Sequence, residues 1–396
     1  MVRHTIRFVT TSRYRPLTGR ALNRATLARQ LLLERAPLDV EAGVRRIVAI
    51  QAQESASPYI ALWARLAAFD AADLDHALAR GSIVKASLMR ITLHAVAATD
   101  YHEFHRAMQS TLRGSRLYDP RFTVTDMPSD EVDALVPQLL VFAAEPRTNA
   151  EVEAWLDERL GPGRGRQVWW AVRTFAPFRH AVTTGPWSFG PRPAYVATPP
   201  PHERDDPATS LPALIRRYLA GLGPATVADI AQFTLIQRSR VRAALDALGG
   251  DLLYRDRSDG AQLVDMPGAA LPDEDVPAPP RLLPMWDSIL FAYADRSRII
   301  PPAFRSHVIR RNGDTLPTLL VDGHVAGVWR PTPDGIEATA FEPLSDETWA
   351  GLEAEARSLL ALLANRDPGT YRRYGRWWAE LPGAQVRTLG SDRQPG

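Results

Sequence analysis

One pattern, several helices followed by two short strands, recurs three times along this chain of 396 residues. The third occurrence is the clearest, and it predicts helices and then strands over 211–220, 227–232, 237–248, 252–255 and 262–264. Gly223-Pro224 ends the first of these helices, and Thr226 is suited to cap the second. A helix–turn–helix followed by a two-stranded wing is the winged-helix arrangement, so the pattern predicts tandem winged-helix units.

The other two occurrences are looser. The second predicts helices and strands over 130–144, 150–160, 164–175, 181–183 and 194–197. Thr148-Asn149 supplies a cap, and a long tip from Thr184 to Arg192 joins the two strands. The first occurrence predicts a helix capped by Asn23, a helix over 40–50, and strands over 85–89 and 92–96. We therefore expect three units, at 1–125, 126–207 and 208–270.

The C-terminal portion, 271–396, has a different pattern. Pro272 to Pro280 is acidic and rich in proline, which is typical of an extended linker. Short strands are then predicted over 289–293, 308–310, 318–321, 325–329 and 337–341, with a helix over 346–364. Asp322-Gly323 is a good hairpin turn, and the last dozen residues are expected to be disordered. The predicted fold class is α+β, with this β-rich portion completing three winged-helix units.

The content of ionisable side chains narrows the possible chemistry. The chain has no cysteine, which excludes disulfides, thiolate metal sites and a cysteine nucleophile. Of its 47 basic residues only Lys85 is a lysine, so any Schiff-base chemistry would depend on that one side chain. Arginine binds phosphate in a bidentate manner, so an arginine-rich surface can still hold a nucleic-acid backbone. The chain has no cysteine, no membrane-length apolar segment and no apolar core of a signal peptide, so the expected compartment is the cytoplasm. The protein is expected to be a monomer.

Gln51-Ala-Gln53 is the most specific candidate for a reactive site. Side chains on alternate residues of an extended segment share a face, so the two amides can converge on one point. Neutral amides position a water molecule or a polar edge, but they do not act as strong bases. Such a pair suits a reaction whose leaving group is already activated.

Histidines give weaker candidates. Arg90 and His94 flank a turn between two predicted strands, and this turn can bring them close to the glutamine pair. A histidine at a strand end is nevertheless more often structural than catalytic. His102 and His105 have the spacing of metal ligands on a helix, but no third ligand is evident and a surface pair is the better interpretation. We predict no metal and no cofactor.

Candidate DNA contacts follow from position alone. Exposed arginines are expected on the third helix of the third unit and around the wing of the second: Arg238, Arg240, Arg242, Arg179 and Arg192. Trp187, in the long tip, is suited to insertion into a DNA groove. An equally good interpretation is that this apolar tip packs on a neighbouring unit.

Four segments resemble the AlkZ-like family of bacterial winged-helix DNA glycosylases. They are Ile50-Gln-Ala-Gln53, Leu88-Met-Arg-Ile-Thr-Leu-His94, Leu283-Pro-Met-Trp-Asp287 with Asp295-Arg296, and Leu320-Val-Asp-Gly-His-Val-Ala-Gly-Val-Trp329. The resemblance implies three winged helices around a C-shaped DNA channel, with Gln51 and Gln53 as the catalytic pair. Related glycosylases have aspartate where this chain has Gln53.

The implied reaction is removal of bulky N7-alkylguanine adducts and, in some members, of interstrand crosslinks. Alkylation at N7 makes the base cationic, so the glycosidic bond already has a good leaving group and needs no general acid. Glutamine oxygens can then hold water and stabilise an oxocarbenium-like transition state. The scarcity of lysine favours a monofunctional hydrolase over a lyase, and a bulky lesion favours an open site over complete base flipping.

Two other functions remain open from the sequence. Loss of the aspartate is also compatible with a non-catalytic DNA-binding regulator, which would occupy specific sequences reversibly and leave no abasic sites. A protein-interaction scaffold is the third alternative, and its binding would not depend on salt.

Overall fold

The structure, a computed structural model, describes residues 15–199 and 207–390. The helices of the first part are α1 (Gly19–Arg29), α2 (Val40–Arg46), α3 (Ser57–Trp63), α4 (Ala71–Ala79) and α5 (Ala98–Leu117). The strands are β1 (Ile50–Gln51), β2 (Ile83–Ser87) and β3 (Leu93–Ala97), which form an antiparallel sheet in the order β1-β3-β2.

Two predictions for this part are wrong. Asn23 does not cap a helix, because α1 begins earlier and Thr18 is its cap. Asn23 is instead buried within α1, and its amide donates to the carbonyls of Arg298 and Gly323. The helix predicted over 40–50 ends at Arg46, because Ile50 and the residue after it pair with β3 as a strand.

The second part follows its predicted order. Its helices are α6 (Pro120–Thr123), α7 (Ser129–Phe142), α8 (Asn149–Leu160) and α9 (Gly165–Phe175). Its strands are β4 (Arg147–Thr148), β5 (Phe178–Ala181) and β6 (Ala194–Ala197), in the sheet order β4-β6-β5. The predicted cap is confirmed, since Thr148 and Glu151 form a capping box at the start of α8. The strand predicted over 181–183 lies earlier, where β5 pairs with β6.

The third part contains α10 (Pro207–Leu222), α11 (Val227–Thr234), α12 (Arg238–Leu248), β7 (Leu253–Asp256) and β8 (Gln262–Asp265). Strands β7 and β8 form the predicted antiparallel hairpin. Thr226 caps α11 as predicted and forms a capping box with Asp229. The Asp229 carboxylate also accepts a hydrogen bond from the Ala294 amide at 2.9 Å, which ties α11 to the C-terminal portion.

The C-terminal portion contains β9 (Arg281–Leu283), α13 (Arg305–Val308), β10 (Thr318–Val321), β11 (His324–Thr332), β12 (Gly335–Ala340), α14 (Asp346–Ala364) and β13 (Gln385–Leu389). The sheet order is β13-β12-β11-β10-β9. The hairpin turn at Asp322-Gly323 is confirmed, and both residues have positive φ. Glycine is needed at 323, because a Cβ there would lie 2.3 Å from the Asn23 side-chain oxygen.

Three expectations for this portion are wrong. The segment predicted as a strand over 289–293 begins instead as a 3-10 turn, Ser288–Leu290, in which the Ile289 amide donates to the Asp287 side chain. The strand predicted over 308–310 is the end of α13 followed by a single bridge between Ile309 and Thr315. Part of the last dozen residues is ordered, because β13 pairs with β12; residues 391–396 lie outside the described part of the chain.

Buried charge pairs link the early helices to the later parts of the chain. Arg29 in α1 bonds Asp265 at 2.7 Å, and both side chains are at most 2% exposed. Arg65, just after α3, donates twice to Asp287, with both N···O distances 2.8 Å. An ion pair removed from water is stable only when its geometry satisfies both partners, as this bidentate pair does. In the described residues, no helix is both long and apolar enough to cross a membrane.

We expect Arg65→Met to lower the free energy of unfolding by about 3–5 kcal/mol, because it leaves the Asp287 carboxylate buried without its partner. Urea denaturation monitored by circular dichroism would measure this loss. Arg80→Met is the matched control, since Arg80 and Glu41 are both roughly half exposed and such pairs contribute at most about 1 kcal/mol. Equal effects of the two changes would contradict the prediction.

Candidate active site

Gln51 lies at the end of β1, opposite His94 in β3. It is 4% exposed, and its Oε1 accepts a hydrogen bond from Arg90 Nη2 at 2.6 Å. Because Arg90 can only donate, this bond fixes the amide orientation, with the oxygen facing the guanidinium. The side chain of Gln51 is therefore held in one position before any ligand arrives.

Gln53 is held by residues 90–93, the segment that also holds Gln51. The Ala52 amide continues the ladder by donating to the Leu93 carbonyl at 2.8 Å, and the Leu93 amide donates to Gln53 Oε1 at 2.9 Å. Unlike Gln51, Gln53 is exposed. Within the described chain neither glutamine Nε2 donates a hydrogen bond. Segment 90–93 thus orients both amide oxygens and leaves each with a second lone pair.

Arg90 is in a strained turn between β2 and β3. Its φ is +53° and that of Ile91 is +59°, both in the left-handed region that non-glycine residues adopt at a cost. The turn brings the guanidinium close to Phe233 of α11 at 5.1 Å and to Phe291 at 5.4 Å, measured to the ring centroids. Its Nη1 is buried and has no hydrogen-bond partner in the described chain.

Burial determines the protonation states of Arg90 and His94, the two ionisable groups beside the glutamines. It lowers the pKa of Arg90 to about 9, so the side chain stays cationic at neutral pH. Burial and then the neighbouring Arg90 charge lower the pKa of His94 well below its usual value. His94 Nδ1 donates to the Thr92 carbonyl at 3.0 Å, so Nε2 is free to accept from Arg90 Nη2 at 3.2 Å. His94 is therefore neutral and is not a source of protons.

The cluster can do limited chemistry. In the described chain, no aspartate or glutamate hydrogen-bonds to Gln51, Gln53, Arg90 or His94. It offers two oriented amide oxygens and one buried cation, which can hold a water molecule but cannot deprotonate it strongly. Such a site is suited to a substrate whose leaving group departs without protonation.

The predicted surface arginines differ in accessibility. Arg238 and Arg242 are exposed and lie one turn apart on the same face of α12. Arg240 lies on the other side of that helix and donates to Ser110 of α5 at 2.5 Å. Arg192 is exposed near the end of the tip, whereas Arg179 in β5 is half-buried and burial lowers its pKa.

The long tip packs against the first part of the chain. Trp187 is 5% exposed and lies 5.0 Å from the ring of Tyr59. Ser188 Oγ donates to the Asp75 carboxylate at 2.6 Å, and Ser55 Oγ donates to the Phe189 carbonyl at 3.1 Å. This is the second interpretation given above for the tip. DNA contact by the Trp187 ring would require the tip to lift.

A cavity of about 300 Å³ lies beside Gln53. Its lining includes Lys85 and Phe189, brought together from β2 and the tip. The histidine pair on α5 is elsewhere: His105 stacks on Tyr101 at 5.5 Å, and burial lowers its pKa to about 4. In the described residues, no group of three or more metal-binding side chains is found.

Sequence reasoning missed the aromatic rings around Arg90 and the position of Lys85. Phe291 lies four residues after the Leu283–Asp287 segment that resembles the AlkZ-like family, so the sequence contained an indication that this region lies near the site. Phe233 has no such signal, because only packing of α11 against the turn at 89–91 brings it to the site. Lys85 is distinctive in the sequence as the single lysine, but its burial beside Gln53 depends on the position of the tip.

Comparison with known proteins shows the family of this chain. A family model described as "DNA glycosylase AlkZ-like" matches residues 44–362. This chain belongs to the AlkZ-like DNA glycosylase family. A curated relative from Streptomyces sahachiroi, named an interstrand DNA cross-link repair glycosylase, is 25% identical over 350 residues, covering 83% of this chain and 92% of the relative. The solved structure of the DNA glycosylase AlkZ from the same organism has a TM-score of 0.73, with 20% identity, and the match covers 88% of this chain and 98% of that one.

The segments that resemble the AlkZ-like family contact one another in this fold. Asp287 bonds Arg65, and the adjacent Ser288 Oγ donates to the Ala49 carbonyl just before β1 at 2.8 Å. Trp329 Nε1 donates to the Leu283 carbonyl at 2.9 Å. The C-terminal segments thus buttress the glutamine-bearing strand of this glycosylase.

His94 predicts a pH dependence of stability. Because its pKa is lowered in the folded enzyme, the unfolded chain binds a proton below about pH 6.5 and the folded chain does not, so stability falls as the pH falls. We expect the slope contributed by this histidine to rise from about 0.7 kcal/mol per pH unit at pH 6.5 toward about 1.4 kcal/mol per pH unit near pH 5.5. His94→Gln should remove that slope while keeping an acceptor for Arg90. Urea unfolding at several pH values measures it; identical slopes in both proteins would refute the assignment.

Proposed function

We propose that this enzyme is a monofunctional DNA glycosylase that hydrolyses the N-glycosidic bond of cationic N7-alkylguanine, with Gln51 and Gln53 positioning the water. One observation carries the proposal. In a chain of the DNA glycosylase family, segment 90–93 orients both glutamine oxygens, and no carboxylate joins the network. Two acceptors without a base match a lesion that already carries the charge of a good leaving group.

The reaction follows from the charges. When the bond between C1′ and N9 breaks, the cationic base departs neutral and the positive charge moves to the sugar. The free lone pairs of Gln51 Oε1 and Gln53 Oε1 face this charge and accept hydrogen bonds from the attacking water, which adds to C1′ and releases one proton to the solvent. Arg90 is a positioning residue here, because its hydrogen bond to Gln51 holds the amide in place. His94 in turn holds Arg90.

The DNA partner is proposed to be a duplex bound in a C-shaped channel of three winged-helix units. The unit boundaries are those expected from sequence, 1–125, 126–207 and 208–270, with 271–396 completing the channel. Support comes from the helices followed by a hairpin in each unit, and from the exposed Arg238 and Arg242 on α12, in the position of a recognition helix.

Bulky adducts are the proposed lesions, including interstrand crosslinks. The Streptomyces sahachiroi relative carries crosslink repair in its name. The exposure of Gln53 also supports this class, because a crosslinked guanine cannot be extruded into a closed pocket. The enzyme is further proposed to be a cytoplasmic monomer. Its role would be DNA repair or self-resistance against the compounds that form such adducts.

The decisive test is base excision by single and double glutamine variants. Duplexes carrying N7-methylguanine or a bulky N7 adduct would be incubated with enzyme and cleaved with alkali at abasic sites. We expect Gln51→Ala and Gln53→Ala each to slow excision by about 100-fold or more, and the double variant to reach background, while folding and DNA affinity persist. Gln138→Ala, an exposed glutamine on α7, is the matched control. Full activity in the double variant, or reversible sequence-specific binding without abasic sites, would overturn the proposal.

A second prediction concerns the DNA contacts of α12. Because Arg238 and Arg242 are exposed on one face, we expect each alanine variant to weaken binding to any duplex and to reduce the slope of log K against log salt by about 0.9. Fluorescence anisotropy at several salt concentrations would measure both effects. Arg357→Ala on α14 is the control, since this exposed arginine is already paired with Glu353 on its own helix and lies outside the three winged-helix units. Unchanged slopes in both α12 variants would exclude this helix as a phosphate contact.

A further inference from the structure

Lys85 occupies an unusual position for a cation. It lies in β2 in register with Ala95 of β3, and Ala95 pairs with Ile50 of β1. Its side chain is therefore on the opposite face of the sheet from Gln51 and His94. The residue is 5% exposed, and its Nζ lies 4.3 Å from the centre of the Phe189 ring in the tip.

This ammonium has no anionic partner. In the described chain it forms no salt bridge and no hydrogen bond, and the Phe189 ring is its one compensating contact. An unpaired buried cation is destabilising, and burial lowers the pKa of Lys85 to about 8. The amine is still mostly protonated at neutral pH, so the fold maintains a positive charge without a counter-ion.

The amine lines the cavity of about 300 Å³ described above, whose wall also contains Gln53. Other charges in the wall are compensated. Glu54 pairs with Arg373 and accepts from Tyr374 Oη at 2.8 Å, and burial lowers the pKa of His180 so far that it is neutral. The uncompensated charge of the cavity is therefore that of Lys85.

We infer that this cavity binds a backbone phosphate of the DNA strand that carries the target nucleotide, with Lys85 as its counter-ion. The inference rests on the proposed function, because it places the phosphate next to the nucleotide held by Gln53. A phosphate oxygen supplies both the negative charge and the acceptors that the three N–H groups of an ammonium require.

The same placement argues against a nucleophilic role for Lys85. Gln51 and Lys85 are on opposite faces of the sheet, so the amine is not directed at the side of the sheet on which Gln51 lies. The chain uses arginine at its other 46 basic positions. An ammonium acts as a compact point charge and suits a small site closed by an aromatic ring, whereas a guanidinium fork needs several acceptors.

The test uses the full chain and a duplex with a tetrahydrofuran abasic analogue, with single methylphosphonates replacing each phosphate near the lesion in turn. Affinity is measured against salt for the wild type, Lys85→Met and Lys85→Arg. We expect Lys85→Met to bind about tenfold more weakly and to lose about 0.9 of the salt slope. One methylphosphonate should weaken the wild type similarly and have no further effect on Lys85→Met. Lys85→Arg should keep the slope.

The melting temperature of Lys85→Met distinguishes phosphate binding by Lys85 from a purely structural role. Removing an unpaired buried cation should leave the melting temperature of Lys85→Met unchanged or higher, whereas loss of a structural contact would lower it. An unchanged salt slope in Lys85→Met would overturn the inference. So would a lowered melting temperature with a loss of affinity that no methylphosphonate reproduces, or borohydride trapping of abasic DNA on Lys85. Base excision by the wild type is scored separately, so failure of the phosphate site and failure of the glycosylase assignment are distinguishable.

Discussion

One guanidinium nitrogen, Arg90 Nη2, holds together the polar centre of this enzyme. It donates to Gln51 Oε1 and to His94 Nε2, two buried acceptors that would each lose stabilising free energy if left unpaired. The guanidinium itself is enclosed by Phe233 and Phe291, which belong to later parts of the chain. The glutamine strand, the strained turn and the distant aromatic rings are therefore fixed by one another.

In the proposed reaction, the substrate itself supplies the activation of the leaving group. Burial keeps His94 neutral, and Arg90 is directed at Gln51 rather than at a leaving group. A glycosylase that removes neutral bases must protonate them or deprotonate water, and this arrangement does neither strongly. In the proposed reaction, selectivity arises because only a lesion with its own positive charge can leave.

Local signals were enough to predict part of the fold. The cap at Thr226, the hairpin at Asp322-Gly323 and the bounds of α14 follow from neighbouring residues and were found in the sequence. Pairing between distant segments could not be predicted from the sequence. Helical periodicity continues to Ile50, but this residue pairs with Ala95 and belongs to a strand. In the site, the turn that carries Arg90 and His94 was expected near Gln51. The rings around Arg90 and the Lys85 cavity were not expected, because they exist only after separate elements pack.

The depth at which α1 is buried has a consequence for synthesis of the chain. Arg24 and Arg29 are fully buried, and their carboxylate partners, Asp322 and Asp265, follow more than 230 residues later. While a ribosome is still translating the middle of the message, these guanidinium groups have no counter-ions and α1 has no complete binding surface. Helix α1 therefore cannot complete its native ion pairs until the segments that carry Asp265 and Asp322 have been synthesised, and its final packing depends on contacts between sequence-distant segments.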